Sequence, residues 1–390
     1  MAKSIRSLLS PLLIMSYACG LRIVEFPTGQ PRLWFSYLYI LLLWSTYCFL
    51  VTDKPLSYIP DYSAEYKLYV LLNIFIALLS MLLGVYHDKK FRNCLKKIAS
   101  VDNTLEKFET TMNQKLNKKL ILMVVLGWSA IALLLNYTDY IRWQDTAYNP
   151  LKSIYVTFML CHCSHINIIN DLIFASILGY IGLKFDEMNK YLYKLTTENI
   201  RGTEQASESS ELQQCNFSNV PNNKYMIWIV IHLHLELHKI SREVNSIFEI
   251  EMTFKMVCYF AFIAEFIREL FTAIFVRNYS TSKRILMITI IIFWLVWYIS
   301  RLLLINYICE RVSAKANATG GMISKISYFT CDSELRKNIL QFLLQRMQAP
   351  LKFHGLRLFQ FGYKFLYGYF ESILTLAIIL VQTDKFKGKY

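Results

Sequence analysis

The chain offers almost nothing that an enzyme needs. No P-loop, no glycine-rich phosphate cradle and no Ser/His/Asp set near a membrane face occurs along its 390 residues, so neither catalysis nor a cofactor is expected. Charged residues are sparse at 18%, and the acidic ones sparser still: 28 Asp and Glu stand against 42 Lys and Arg, for a net charge of +14. Such a surplus also suits nucleic acid, but the basic residues gather between hydrophobic blocks, where the preference of Lys and Arg for cytoplasmic loops explains them better. The nine cysteines fit no extracellular disulfide framework, since most fall inside apolar stretches or in segments assigned below to the cytoplasm. The first hydrophobic run, 8–17, is short, and no clear small-residue cleavage site follows it, so a cleaved signal peptide is not expected. A metal site is not expected either. Cys161, His162, Cys163 and His165 crowd together, yet on a helix only Cys161 and His165 share a face, and zinc asks for four converging ligands.

What is abundant is apolar surface. The chain is 55% hydrophobic and 15% aromatic, with a mean hydropathy of +0.32. That is too apolar for a soluble protein of this size and implies an all-α, polytopic membrane protein. Seven blocks are long enough to cross a bilayer as helices: 33–52, 66–86, 120–137, 151–183, 252–276, 285–306 and 363–382. The organisation expected is an N-terminal segment 1–32 with one interfacial helix, spans one to four in 33–183, and cytoplasmic extensions with a polar link over 184–251. Spans five and six follow in 252–306, then cytoplasmic helices in 307–362, the last span in 363–383 and a tail, 384–390. Residues 138–150 read as a short loop, 201–224 as a disordered link, and 334–348 as an amphipathic helix stopped by Pro350; Gly320 and Gly321 offer a kink.

Lys89, Lys90, Arg92, Lys96, Lys97, Lys107, Lys115, Lys118 and Lys119 all fall between the second and third spans, whereas 53–65 holds only Lys54 and 139–152 only Arg142 and Lys152. The second-to-third loop and the N-terminus are therefore expected in the cytoplasm and the C-terminus outside, mildly against the bias of Lys385, Lys387 and Lys389. G-protein-coupled receptors have the reverse orientation, and no long N-terminal ectodomain is expected here. On this topology the glycosylation sequons at Asn136 and Asn278 face outward, while those at Asn216 and Asn317 stay in the cytoplasm.

Within the last block Glu371, Thr375, Ile378 and Gln382 are spaced to stack on one helical face. Two readings stand side by side: a pore- or site-lining stripe, because such groups are costly against lipid, or a snorkelling Glu371 with Thr375 bonded back to its own helix. Asn167, Asn170 and Asp171 read as an interhelical hydrogen-bond cluster. His232, His234 and His238 sit on an amphipathic lead-in to the fifth span, and the Lys-rich 88–119 segment reads as a face near anionic lipids.

The C-terminal region resembles the insect gustatory receptors, a branch of the seven-helix insect chemoreceptor superfamily that also holds the odorant receptors. That family closes on Thr-Tyr, five hydrophobic residues and Gln-Phe. Here the match is Thr375, the apolar run 377–381 and Gln382, with Leu376 and Thr383 in place of Tyr and Phe. The stretch before it is built similarly: a Cys309-containing continuation of the sixth helix, an amphipathic helix over 333–346, and a run from Phe353 through Gly355 to Leu358. The lead-in 238–248 is alike as well.

The resemblance implies a tetrameric, ligand-gated, non-selective cation channel in the plasma membrane of sensory neurons. Its final helices line a pore and the extensions of helices four to seven form a cytoplasmic anchor. It places Gln382 in the gate region and Glu371 in an acidic ring near the inner mouth. A small-molecule tastant is expected in the outer half of each subunit. Candidates there are Trp128 on the third span, Tyr155, Phe158, His162 and His165 on the fourth, Phe262, Glu265 and Glu269 on the fifth, and Trp294, Trp297 and Tyr298 on the sixth. Glu265 leads them as an ionisable group in a span, with Arg268 as partner. The alternatives are a metabotropic seven-helix receptor, a co-receptor subunit working with other gustatory receptors, or a secondary transporter, whose internal repeats are not evident here.

Overall fold

The computed structural model describes residues 5–25, 30–53, 64–106, 114–147, 150–206, 221–275, 280–329 and 332–387. Of the expected disordered link 201–224, residues 207–220 lie outside them, as do the Asn216 and Asn278 sequons and the last three residues of the tail, whereas 201–206 and 221–224 are helix. The described chain forms helices α1 (Ile5–Ala18), α2 (Leu33–Asp53), α3 (Ala64–Tyr86), α4 (Asp88–Glu106) and α5 (Gln114–Ala147), then α6 (Pro150–Ala206), α7 (Pro221–Phe275), α8 (Thr281–Phe329), α9 (Ser333–Gln348) and α10 (Tyr363–Lys387). Between α9 and α10 sits a two-stranded hairpin, β1 (His354–Gly355) and β2 (Phe359–Gln360).

α6 is the axis of the molecule. It packs against α8, α3, α5, α7 and α1, and 78% of its most apolar stretch is buried inside the protein, against 11% for Leu122–Ile141 of α5 and 22% for Tyr363–Gln382 of α10. The apolar surface left on α5 and α10 therefore faces outward. Among the described residues six helices are long and apolar enough to cross a membrane. The 252–275 half of α7 does not join them because it carries Lys255, Glu265, Arg268 and Glu269.

Between apolar helices in lipid, close packing and polar contacts hold the bundle, because the tails are as apolar as the side chains. In the stretches expected to lie in the cytoplasm, the hydrophobic effect takes over. A second core gathers Leu192 of α6, Ile227 and Val230 of α7, Ile323 and Ile326 of α8, and Leu335, Ile339 and Phe342 of α9. Each such side chain stabilises by roughly 1.5–3 kcal/mol when withdrawn from water. Asp332 caps α9: its Oδ1 accepts from Glu334 N at 2.9 Å and Leu335 N at 3.1 Å. Lys224 of α7 pairs with Asp332 at 2.8 Å and Glu334 at 2.9 Å.

Several local expectations change. α5 runs on as helix through the stretch read as a loop, 138–147, and Asp139 is buried there, accepting from Cys161 Sγ at 2.7 Å. α1 buries Ile5, Leu9, Leu12 and Leu13 within the main core. α8 continues unbroken through Gly320 and Gly321; a Cβ at Gly320 would stand 1.4 Å from Arg346 Nη1, so that glycine leaves room for the Arg346 side chain. α10 extends past 383 to Lys387.

Candidate functional site

The most constrained chemistry lies at mid-bundle. Asp171 of α6 accepts at Oδ1 from Lys255 Nζ of α7 at 2.6 Å. Its Oδ2 accepts from Arg301 of α8, Nη2 at 2.6 Å and Nε at 3.1 Å, and from Tyr259 OH at 2.9 Å. Lys255 also pairs with Glu251 Oε1 at 2.7 Å and donates to the Asn167 carbonyl at 2.9 Å. Glu251 accepts in turn from Ser80 of α3 at 2.7 Å and Asn170 at 3.2 Å. The Lys255 side chain is 0% exposed and both acids are 4% exposed. Two carboxylates against two cations leave this cluster neutral, the condition under which buried charge is tolerated. The interhelical bonding expected of Asn167, Asn170 and Asp171 is present, and it ties α3, α6, α7 and α8 together.

One helical turn from Lys255 and Arg301, Tyr259 and Tyr298 begin an aromatic cluster. Tyr69 of α3 and Tyr298 share a hydrogen bond between hydroxyls at 2.7 Å. The Tyr69 ring meets Phe262 at 4.7 Å, Phe266 at 6.1 Å and Trp294 at 6.3 Å. Tyr298 closes the ring on Phe262 at 5.1 Å, Tyr259 at 5.6 Å and Phe266 at 5.9 Å. At these separations neighbouring rings are in contact. Among the described residues the indole Nε1 atoms of Trp128, Trp294 and Trp297 are buried without a hydrogen-bond partner, which marks them as spare donors.

The expected pocket residues divide among several places. Phe262, Trp294 and Tyr298 come together in the aromatic cluster. Glu265 accepts from Arg268 Nη2 at 2.6 Å and Nε at 3.0 Å, the pairing expected, and Glu269 is half-buried on the same helix. Trp128 of α5 and Trp297 of α8 are half-buried against the main core. The α6 set turns elsewhere. His162 packs on Tyr47 of α2 at 5.0 Å and on Phe158 at 5.7 Å, and both it and Phe158 line a groove of about 380 Å³ between α2 and α6. Tyr155 reaches the Leu50 carbonyl at 3.3 Å, and His165 faces α5, donating to Asn136 Oδ1 at 3.0 Å. Asn136 is thus engaged inside a helix pair, not on the exposed loop that glycosylation requires.

Tyr69, Tyr259 and Phe266 complete the cluster and were not among the candidates, nor were Lys255, Glu251 and Arg301. For the charges a signal existed. Arg301 and Lys255 are ionisable groups in membrane-depth segments, and such groups ask for a partner of opposite sign. On α10 the stripe is intact: Leu366, Tyr369, Ile373 and Ala377 are buried, while Glu371, Thr375, Ile378 and Gln382 are all exposed on the opposite face. Thr375 Oγ1 donates to the Glu371 carbonyl at 3.0 Å, the backbone bond of the alternative reading.

A bundle of long apolar helices with a neutralised polar core and a buried aromatic cluster has the make-up of a polytopic membrane protein. The model of the 7tm chemosensory receptor family matches residues 9–386. The chain belongs to that family, which is not a class of enzymes. The insect olfactory receptor OR5 of Machilis hrabei superposes with a TM-score of 0.65 at 12% identity, covering 97% of this chain and 98% of that one. The same receptor in complex with eugenol gives a TM-score of 0.61 at 13% identity, covering 96% and 97%. At such identity the likeness speaks for the fold. No curated protein matches the chain.

Proposed function

We propose that this chain is a gustatory-type chemoreceptor, a tetrameric cation channel opened by a small-molecule tastant in the plasma membrane of sensory neurons. Seven helices would span, α7 included, with the N-terminus in the cytoplasm and the C-terminus outside. The observation that carries this reading is α10. It buries one face against α7 and α8 and leaves Glu371, Thr375, Ile378 and Gln382 exposed along the other. Four copies around an axis would turn that stripe into a pore, with Gln382 at the gate and Glu371 as an acidic ring that favours cations. α7 satisfies its charges inside the bundle, which fits a span that fails on apolarity alone.

The aromatic cluster among α3, α7 and α8 is the site we assign to ligand, with Glu265 and Glu269 further along α7. A similar receptor was solved in complex with eugenol, an aromatic molecule, and a guest of that kind would have to part the touching rings of Tyr69, Phe262 and Trp294. The Trp294 N–H, buried without a partner, is a donor for such a guest's oxygen. Binding would favour an open state by its tighter affinity for it.

The test is expression in a cell line with an epitope on the C-terminus. Labelling of intact cells and a ligand-evoked cation current are expected. Labelling only after permeabilisation, with surface expression shown independently, or a tetramer silent to a ligand panel that opens a known receptor, would overturn the reading. Trp294→Phe keeps the ring and removes the N–H. It should raise the half-maximal ligand concentration about tenfold, the value of one hydrogen bond, and leave maximal current unchanged.

A further inference from the structure

Where α3 ends and α4 begins, a cleft of about 800 Å³ opens between α1 and the first turns of α4. Its walls carry Arg6 from α1 with Lys89, Lys90, Arg92 and Lys96 from α4, and no carboxylate lines it. Two of these cations are committed: Arg6 pairs with Glu25 at 3.0 Å and Arg92 with Asp88 at 2.7 Å. Lys89, Lys90 and Lys96 are exposed, and none has an ion-pair partner among the described residues. Close by, buried Arg22 lies over the Phe91 ring at 3.7 Å with Nε and Nη1 unpartnered. The excess positive field registers on His87, whose pKa is lowered first by burial and then by Lys90 and Arg22.

The depth of the cleft narrows its ligand. Tyr86 is the last residue of the apolar stretch Tyr66–Tyr86, and it is 79% exposed. An exposed ring at the end of a span sits at the level of the lipid headgroups. One turn earlier Leu82 is also exposed, offering apolar surface to an acyl chain. A single phosphate would leave most of this volume and several cations unused. A sugar-sized headgroup bearing more than one phosphate fills the space and matches the charge.

We infer that this cleft binds the clustered phosphates of a polyphosphorylated lipid headgroup in the adjoining leaflet. On the orientation proposed above that leaflet is the cytoplasmic one. The inference rests on 66–86 crossing the bilayer, and on neither conduction nor tastant binding. Lys89, Lys90 and Lys96 supply mobile charge, while Arg6 and Arg92, fixed by their acids, shape the walls.

The test is retention of a fluorescent phosphatidylinositol bisphosphate by the purified full-length protein in phosphatidylcholine nanodiscs. Replacing Lys89→Gln, Lys90→Gln and Lys96→Gln together should weaken binding roughly a hundredfold, at about fivefold per lysine. An equal charge change at exposed Lys337, Lys352 and Lys364, each to Gln, should shift it less than about twofold. Phosphatidylserine should compete weakly. Unaltered binding by the first triple variant, with oligomer size and melting temperature preserved, overturns the site. Equal loss in both triple variants reduces it to general surface charge. Displacement by soluble inositol trisphosphate as effectively as by the lipid overturns the assignment to a lipid source. Binding is read without current, so a silent channel would leave the result intact.

Discussion

At the scale of single residues, Asp171 carries more than any other group. It accepts from Lys255, Arg301 and Tyr259, so its charge is what makes two buried cations tolerable. Asp171→Ala should cost about 3–5 kcal/mol, the usual penalty for stripping one partner from a buried ion pair. The check is thermal unfolding in detergent. A loss below about 1 kcal/mol would mean that water or Glu251 already compensates the cations. His234 of α7 shows the same physics in the stretch ahead of the proposed fifth span. It is buried between Phe185 at 5.3 Å and Phe342 at 5.1 Å, and its pKa is pushed down to about 3, first by burial, then by Arg346 and His238. In the unfolded chain histidine titrates near 6.5, so below that pH the unfolded state binds a proton that the folded state refuses. Stability should fall as pH drops from about 6.5 toward 3, by about 1.4 kcal/mol per pH unit. His234→Leu should flatten that slope in a pH series of melting curves, leaving the smaller share of His238, whose pKa burial also lowers.

At the scale of elements, the tightest seam lies where α3 crosses the chain after α1. A Cβ on Gly84 would stand 2.1 Å from the Leu21 carbonyl oxygen, which is backbone and cannot swing aside. Gly84→Ala should therefore force α3 away and cost about 1–3 kcal/mol or more. Gly127→Ala on α5, with nothing within 4 Å, serves as the control and should be neutral or mildly stabilising. Equal melting temperatures for the two variants would refute the seam. The long apolar helices were legible from sequence because a bilayer demands an uninterrupted apolar run. The last turns of α5 were not, since 138–147 is polar enough to pass for a loop until Cys161 is seen to satisfy Asp139. The hairpin was hidden for another reason. Leu356 and Arg357 sit at φ 46° and 59°, and Leu358 N bonds the Gly355 carbonyl at 2.9 Å. That is the geometry usually signalled by Asn-Gly, which is missing here. Helical spacing pointed to Phe262, Trp294 and Tyr298, but it could not supply Tyr69, which lies more than 190 residues away in sequence from any of them.

At the scale of the whole molecule, α9 and α10 each leave a face uncovered by the rest of the chain. On α9, Leu340, Leu344 and Met347 repeat at helical spacing and are 50%, 59% and 80% exposed, outside any apolar span. An apolar stripe in water asks for a partner, and a second copy would serve, placing the α9 and α10 faces in one assembly. Glu371 tests that placement. Around a pore, four carboxylates near the inner mouth raise the local cation concentration. Glu371→Lys should then reverse the charge of the ring, cut inward cation current by about tenfold or more and move the reversal potential toward that of chloride, while Glu371→Gln should lower conductance with little change in selectivity. Ser372→Lys, one residue round the helix, is the comparison, because its side chain is also exposed but off the Glu371–Gln382 line. If Glu371 instead snorkels at a lipid-facing edge, both lysine substitutions should leave ion selectivity alone. Single-channel recording under matched surface expression separates the two placements.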